Sequence, residues 1–90
     1  MSAAVVAQLR SALEQAFAPQ TLEIFDDSAA HAGHPGASAG GHYRVTLIAE
    51  AFRGRSRLER HRLVHAAVAP LFHGAVHALN IVARTPGESP

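Results

Sequence analysis

The chain of 90 residues contains no cysteine. Disulfides therefore cannot stabilise its fold, and no metal site can be built from thiolates of this chain alone. Lysine is absent as well, so all eight basic side chains are arginines. The formal net charge is only +1, and a charge this small does not by itself indicate a protein that binds nucleic acid.

Long hydrophobic runs are also missing. The N-terminal stretch MSAAVVAQLRSALEQAF mixes polar and apolar residues at helical spacing, unlike a signal peptide or a membrane span. It is not the Arg- and Ser-rich, acid-free segment typical of a transit peptide either. We therefore expect one cytoplasmic domain over residues 1–90 that makes no contact with a membrane.

Histidine, in contrast, is abundant. Three of the seven histidines fall in HAGHPGASAGGH, residues 31–42, where the Gly and Pro content argues against helix and strand. We predict a long flexible loop over residues 29–41, well beyond the usual 2–5 residues of a hairpin connection. A loop of this length in so small a domain is either functional or simply flexible.

The first half of the chain predicts a helix followed by two strands. Over residues 3–17 an apolar stripe recurs at helical spacing, and Pro19 ends it. The segment TLEIFDDS alternates, with Leu22 and Ile24 on one face and Glu23 and Phe25 on the other. The segment HYRVTLIAEAF, residues 42–52, alternates in the same way and is the second predicted strand. The stripe of the helix consists of Val6, Leu9, Leu13 and Phe17.

The second half predicts a helix and a third strand. Ser56 and Glu59 have the spacing of a capping box, so a helix should begin at Ser56, with Pro70 near its end. The segment AVHALNIVA, residues 75–83, is the third strand, and residues 85–90 form a polar tail. Strict alternation places His77 on one face with Leu79 and Ile81, and places Val76, Ala78, Asn80 and Val82 on the other. The inner face of the helix carries Val64, Ala67, Val68 and Leu71.

These elements predict an α+β fold of two layers in the order α-β-β-α-β. Only packing of both helices on one face of a small three-stranded sheet buries these apolar stripes. The first two strands should pair antiparallel, and the second and third can pair in parallel across the intervening helix, which makes the sheet mixed.

The histidines are candidate metal ligands. His77 opens a strand, so it is either a histidine satisfied by its local structure or a ligand that meets one from the long loop. His31 and His34 could chelate together, although a solvated loop with incidental histidines is the simpler interpretation. Two imidazoles would make an open site, completed by something else. His61 and His65 lack the Glu of a zinc-protease helix, and His61 falls on the apolar stripe, so we assign it to the core.

A cluster of arginines surrounds the start of the second helix: Arg53, Arg55, Arg57, Arg60 and Arg62. Such a cluster can contact phosphate or an acidic partner, but the G-x-x-G loop of a KH module and an aromatic pair for base stacking are both missing. A solvated basic face is the simpler interpretation; nucleic acid is the second, and a partner with an acidic patch fits as well as nucleic acid. No signature of a nucleophilic or nucleotide-binding enzyme is present, so we expect no catalytic activity.

Two motifs give a more specific indication. The chain contains F-x-G-x-S-x-x-x-R-H-R-L-V from Phe52 and V-H-A-L-x-I-x-A-x-T-P from Val76, after HAGH and a LEIFDDS strand. In this order and spacing they resemble the BolA family, over about residues 9 to 86. The resemblance implies a fold similar to a class II KH domain.

The resemblance also implies a function. BolA proteins pair with monothiol glutaredoxins, and the heterodimer holds a [2Fe–2S] cluster used in cluster assembly, transfer or iron and redox sensing. The glutaredoxin supplies a cysteine and the thiol of glutathione. This chain would supply His77 and a loop histidine, with His31 preferred, His34 open and His42 not favoured. The isolated chain would hold no cluster. A ligand set with two histidines is similar to that of a Rieske centre.

Some members of the family are described as DNA-binding transcriptional regulators, through the region that matches Phe52 to Arg62. The arginines of this chain permit that alternative, but its modest net charge and the missing G-x-x-G do not strengthen it.

Overall fold

The computed structural model describes residues 2–27 and 41–88, and it has the predicted α+β architecture. The elements are α1 (Ser2–Phe17), β1 (Thr21–Asp26), β2 (Gly41–Ile48), α2 (Arg57–Ala67) and β3 (Val76–Arg84). In the three-stranded sheet, β2 is central; it pairs antiparallel with β1 and parallel with β3. The predicted element order and both pairing directions are confirmed.

One hydrophobic core joins the two helices to one face of the sheet. The α1 stripe contributes Leu9 and Leu13, and the region of α2 contributes Val64 and Val68, all of them fully buried. They pack with alternate residues of β2, namely Tyr43, Val45 and Leu47. The apolar faces predicted for α1, β1 and the α2 region are confirmed, with Val6, Phe17, Leu22, Ile24, Ala67 and Leu71 packed around this core.

Helix α2 begins where its sequence predicts. The Ser56 hydroxyl accepts a hydrogen bond from the main-chain N–H of Glu59, and the Glu59 carboxylate accepts one from the main-chain N–H of Ser56. This reciprocal pair satisfies two N–H groups that the first helical turn leaves without partners. Beyond the helix, Pro70 lies in a 3₁₀ helix, Ala69–Phe72.

The predicted second strand is too long at its C-terminal end. β2 stops at Ile48, and Glu50–Phe52 form a 3₁₀ turn that buries Phe52 in the core. The ring of Phe52 packs against that of Phe17 at 4.9 Å between centroids. Strict alternation would place Phe52 on the outward face with Arg44 and Thr46, so its burial in the core follows from the turn and not from the strand.

The sheet faces predicted for the first side chains of β3 are wrong. Val76 is buried, although alternation had placed it opposite Ile81, and His77 is exposed. The cause is a register shift: Gly41 pairs with Val76 and His42 pairs with Ala78, so His77 has no partner on β2. One extra residue of this kind, a β-bulge, resets the alternation and lets Val76 and Ile81 enter the same core.

The beginning of the predicted polar tail is anchored to the body of the protein. Thr85 is 2% exposed, and the main-chain N–H of Glu88 donates to the Thr85 carbonyl in a turn. None of the helices within residues 2–27 and 41–88 is long and apolar enough to cross a membrane.

Candidate metal centre and basic groove

Two histidines meet at the end of the sheet where β2 and β3 begin. The ring centroids of His42 and His77 lie 5.1 Å apart with the planes tilted by 47°. His42 alternates with buried Tyr43, so the pair lies on the sheet face opposite the helices. The sequence motif singles out His77, but its neighbour His42 depends on the bulge and on the strand pairing, which no local pattern shows.

Glycine at position 41 suits the close packing at this point. A Cβ there would lie 2.7 Å from the Tyr43 hydroxyl and 2.8 Å from its Cζ. Both are far below a normal contact, and the Tyr43 ring is itself buried in the core. Gly41 therefore lets β2 begin directly under this ring, and it places His42 beside the bulge of β3.

The described residues that flank residues 28–40 are held beside the histidine pair. The main-chain N–H of Asp27 donates to the His42 carbonyl at 2.7 Å, and that of Gly41 donates to the Ala75 carbonyl at 3.2 Å. The predicted loop ligands His31 and His34 lie outside the described residues. His31 follows Asp27 by four residues, which an extended chain spans in at most about 14 Å.

The described residues do not complete a metal site by themselves. Over residues 2–27 and 41–88, no group of three or more His, Asp or Glu side chains is arranged to hold a metal ion. His61 is only partly buried, so its assignment to the core is wrong; it lines the groove described below. His65 packs its ring against Phe72 at 5.4 Å.

Next to the histidines, the open face of the sheet carries an exposed aromatic ring. Phe25 is 46% exposed, and the guanidinium of Arg44 lies 5.0 Å from its ring centroid. The Nε of Arg44 also donates to the Asp27 carboxylate at 3.2 Å. Both charged groups are well exposed, so the pair orders this surface more than it stabilises the fold.

The arginine cluster divides into paired and available side chains. Arg53 makes two hydrogen bonds of 2.8 Å to the Glu50 carboxylate. Arg60 donates to both oxygens of Glu88, at 2.8 and 3.0 Å, and to the Ala83 carbonyl at 3.1 Å. These two cations are paired with carboxylates within the chain, and Arg55 and Arg62 lie within electrostatic reach of the Glu59 carboxylate.

Part of the cluster lines an open groove of about 570 Å³ between the start of α2 and β3. Arg55, Arg57, Arg60 and His61 form one side, residues 81–84 of β3 form the other, and Glu88 lies at the groove as its acidic group. Of the five arginines predicted as one contact surface, Arg53 and Arg62 are not among its lining residues.

Hydrogen bonding fixes the charge of the acidic group. Donation by the Arg60 guanidinium, and then by the main-chain N–H of Thr85, lowers the pKa of Glu88 from 4.5 to about 2. The same pair raises the pKa of Arg60. Bidentate donation to a carboxylate favours its charged form, so Glu88 stays ionised over the whole physiological range.

The sequence matches a family model described as BolA-like protein over residues 13–88. The chain belongs to the BolA family. It is 48% identical over 84 residues to human BolA-like protein 1, an alignment that covers 93% of this chain and 60% of the relative. BolA-like protein 1 from the orangutan is also 48% identical to this chain over 84 residues. The chain thus spans about 60% of the length of these BolA relatives.

Solved BolA structures share the fold. BolA1 from Arabidopsis thaliana superposes with a TM-score of 0.80 at 33% identity, covering 93% of this chain and 94% of the other. The BolA domain of SufE1 from the same plant gives a TM-score of 0.81 at 37% identity, with coverages of 92% and 93%. Relatives also include a protein named BOLA1, chloroplastic, so a cytoplasmic location stays a prediction for this BolA chain.

Proposed function

We propose that this chain is a non-enzymatic partner of a monothiol glutaredoxin, and that the two hold a [2Fe–2S] cluster between them. In this proposal His77 and a histidine of the loop are the ligands from this chain. The cysteine of the glutaredoxin and the thiol of its glutathione are the others. The role is cluster assembly, transfer or iron and redox sensing in the cytoplasm.

One observation carries the proposal: the position of His77. Its side chain is exposed, it lies at the bulge in β3, and the described residues that flank residues 28–40, Asp27 and Gly41, bond to the main chain of the neighbouring His42 and Ala75. A ligand held by the sheet next to a segment with two more histidines is the arrangement that a shared site needs. The family membership supplies the partner class.

The donor set fits such a cluster only if another molecule contributes. Iron–sulfur clusters are held by thiolates, with two histidines replacing two cysteines in Rieske centres. This chain has imidazoles and no thiol, so it fits the histidine half of such a ligand set. When bound, the cluster supplies one-electron redox chemistry, and imidazole ligation raises its potential relative to thiolate ligation alone.

Visible circular dichroism tests the proposal. A monothiol glutaredoxin homodimer loaded with cluster and glutathione is mixed with the wild-type chain, His77→Ala or the control His73→Ala, an exposed histidine of the turn before β3. We expect a new cluster spectrum with the wild type and the control, and none with His77→Ala. Loss of the new spectrum with His31→Ala or with His34→Ala identifies the loop ligand.

Two results would overturn this function. The first is a glutaredoxin spectrum that the wild-type chain leaves unchanged. The second is a new spectrum that His77→Ala retains in full. Either result would show that this BolA chain does not bind a shared cluster in the way proposed.

The basic groove supports a second candidate function, a DNA-binding regulator. Arg55 and Arg57 line it, and the Glu59 carboxylate at the start of α2 lies within electrostatic reach of Arg55. Because Arg53 and Arg60 are compensated, this DNA contact would rest on fewer cations than the five arginines of the sequence suggest.

Salt dependence tests the second function. Each phosphate contact contributes about 0.9 to the slope of log affinity against log salt. We expect Arg55→Gln with Arg57→Gln to reduce that slope by about 1–2 on duplex DNA. Arg10→Gln on the exposed face of α1 is the matched control. Binding that is weak and unaffected by the two groove substitutions would contradict this function.

A further inference from the structure

We propose that the chain associates with a second copy of itself through β1, so that two antiparallel β1 strands join the two sheets into one. The two-fold axis of this pair passes through Ile24. The surface lies on the edge of the sheet opposite β3 and the basic groove. The association goes beyond the proposed cluster function and does not depend on it.

The outer edge of β1 carries main-chain groups that β2 does not use. Where the two strands pair antiparallel, the main-chain N–H of Asp27 donates to the His42 carbonyl. Alternate residues of such a pair direct their N–H and C=O groups to the partner strand. Residues 21, 23 and 25 therefore bond to β2, whereas Leu22 and Ile24 direct these groups outward. Within residues 2–27 and 41–88 the outward groups of Leu22 and Ile24 meet no hydrogen-bonding partner.

The other edge of the sheet is closed by side chains at its C-terminal end. The Ala83 carbonyl of β3 accepts a hydrogen bond from Arg60, and the N–H of Thr85 donates to the Glu88 carboxylate. The sequence of β1, TLEIFD, also contains neither Lys nor Pro, the residues that commonly keep an edge strand from pairing with another molecule. Of the two edges, β1 is therefore the one suited to a further strand.

Pairing through β1 buries apolar surface on both faces of the sheet. Phe25 is 46% exposed on the open face. Leu22 and Ile24 point towards the helices but are only partly buried, because β1 is the last strand on that side. In a pair centred on Ile24, this side chain lies against its counterpart, and Phe25 lies against Glu23 of the second copy.

Charge selects the register of the pair. Two registers use all but one residue of the six-residue strand: one is centred on Glu23 and pairs residues 21–25, and the other is centred on Ile24 and pairs residues 22–26. The first places the Glu23 carboxylate directly opposite its counterpart, and like charges in that position destabilise a strand pair. The register centred on Ile24 avoids this repulsion.

The same register brings Glu23 to a cation of the second copy. The Arg44 guanidinium lies 5.0 Å from the centroid of the Phe25 ring, and its Nε donates to Asp27. Its two terminal nitrogens are left to bond a carboxylate across the ring. Glu23 of the second copy lies there, about 4.7–4.9 Å from Phe25 between strand axes. The two-fold axis makes two such ion pairs.

Sedimentation equilibrium of the full chain, with a metal chelator present, tests the association. An interface between two edge strands is small, so we expect dimers only at about 0.1 mM and above, and monomers in dilute samples. Glu23→Arg should weaken the dimer about tenfold or more, because it places a cation beside Arg44 of the second copy. Glu14→Arg is the matched control: it changes the charge equally at an exposed position of α1, and it should leave the dimer unchanged.

Amide hydrogen exchange followed by nuclear magnetic resonance tests the strand pairing without a substitution. In the dilute chain, the N–H of Ile24 should exchange faster than those of Glu23 and Phe25, which bond to β2. In the concentrated chain it should exchange about twofold more slowly or less readily still, because it bonds across the two-fold axis in the dimer.

Three results would overturn the proposal. They are a chain that stays monomeric up to about 1 mM, a dimer on which Glu23→Arg and Glu14→Arg have the same effect, and a dimer in which the Ile24 N–H gains no protection. None of these samples contains glutaredoxin, an iron–sulfur cluster or DNA. A failure here therefore leaves the tests of both candidate functions unaffected, and the reverse also holds.

Discussion

The Arg60–Glu88 pair ties the C-terminal segment to the body of the protein. Arg60 is 14% exposed and Glu88 40% exposed, and the guanidinium also bonds main-chain carbonyls of Arg55 and Ala83. One side chain thus connects the start of α2, the edge strand β3 and the turn after it. Such a partly buried bidentate pair holds its geometry better than an exposed ion pair.

We predict that Glu88→Gln lowers stability in a pH-dependent way. The pKa of Glu88 is about 2 in the folded chain against an ordinary value of 4.5. The ionised carboxylate therefore stabilises the fold above pH 4.5, and this stabilisation is lost as the pH falls towards about 2. Urea unfolding should show the largest difference between wild type and Glu88→Gln near neutrality, and a shrinking one in acid.

The control for this prediction is Glu23→Gln on β1, an exposed carboxylate on the open face of the sheet. It should change stability little at any pH. A Glu88→Gln difference that stays constant from neutrality down to strong acid would show that the carboxylate charge is not coupled to folding.

At the scale of elements, helix α2 and strand β3 show what local sequence can and cannot reveal. The start of α2 was predictable because the Ser56 and Glu59 bonds span three residues and need nothing else. The facing of β3 was not, because its bulge exists only in the pairing with β2. The same bulge brings His42 to His77. Of the two histidines that meet there, the sequence therefore predicted only His77 as a ligand.

The arginine cluster shows the same limit. Its five members lie close together in the sequence, yet the carboxylate that pairs with Arg60 lies 28 residues away, at Glu88. The close Glu50–Arg53 pair depends on a 3₁₀ turn that reads as strand in the sequence. Charge could be counted from the sequence, but compensation of that charge is a tertiary property.

At the scale of the whole molecule, the two helices and three strands of residues 2–27 and 41–88 depend on one core around β2. Leu47 is fully buried, opposite Leu22 of β1 and Ala83 of β3. A domain of this size is stabilised by only about 5–15 kcal/mol, and it has no disulfide to compensate for a core defect. Because the helices and strands share this one core, unfolding should be a single cooperative transition.

We predict that Leu47→Ala lowers the free energy of unfolding by about 2–5 kcal/mol, through lost burial and the cavity that remains. Leu58→Ala is the matched control, since Leu58 is 58% exposed on α2; it should change stability by less than about 0.5 kcal/mol. Two probes report different parts of the molecule: far-ultraviolet circular dichroism follows the helices, and fluorescence follows Tyr43, the only tyrosine in a chain without tryptophan. Both urea transitions should shift together in Leu47→Ala, and transitions that separate would show that the helices and the sheet do not unfold as one unit.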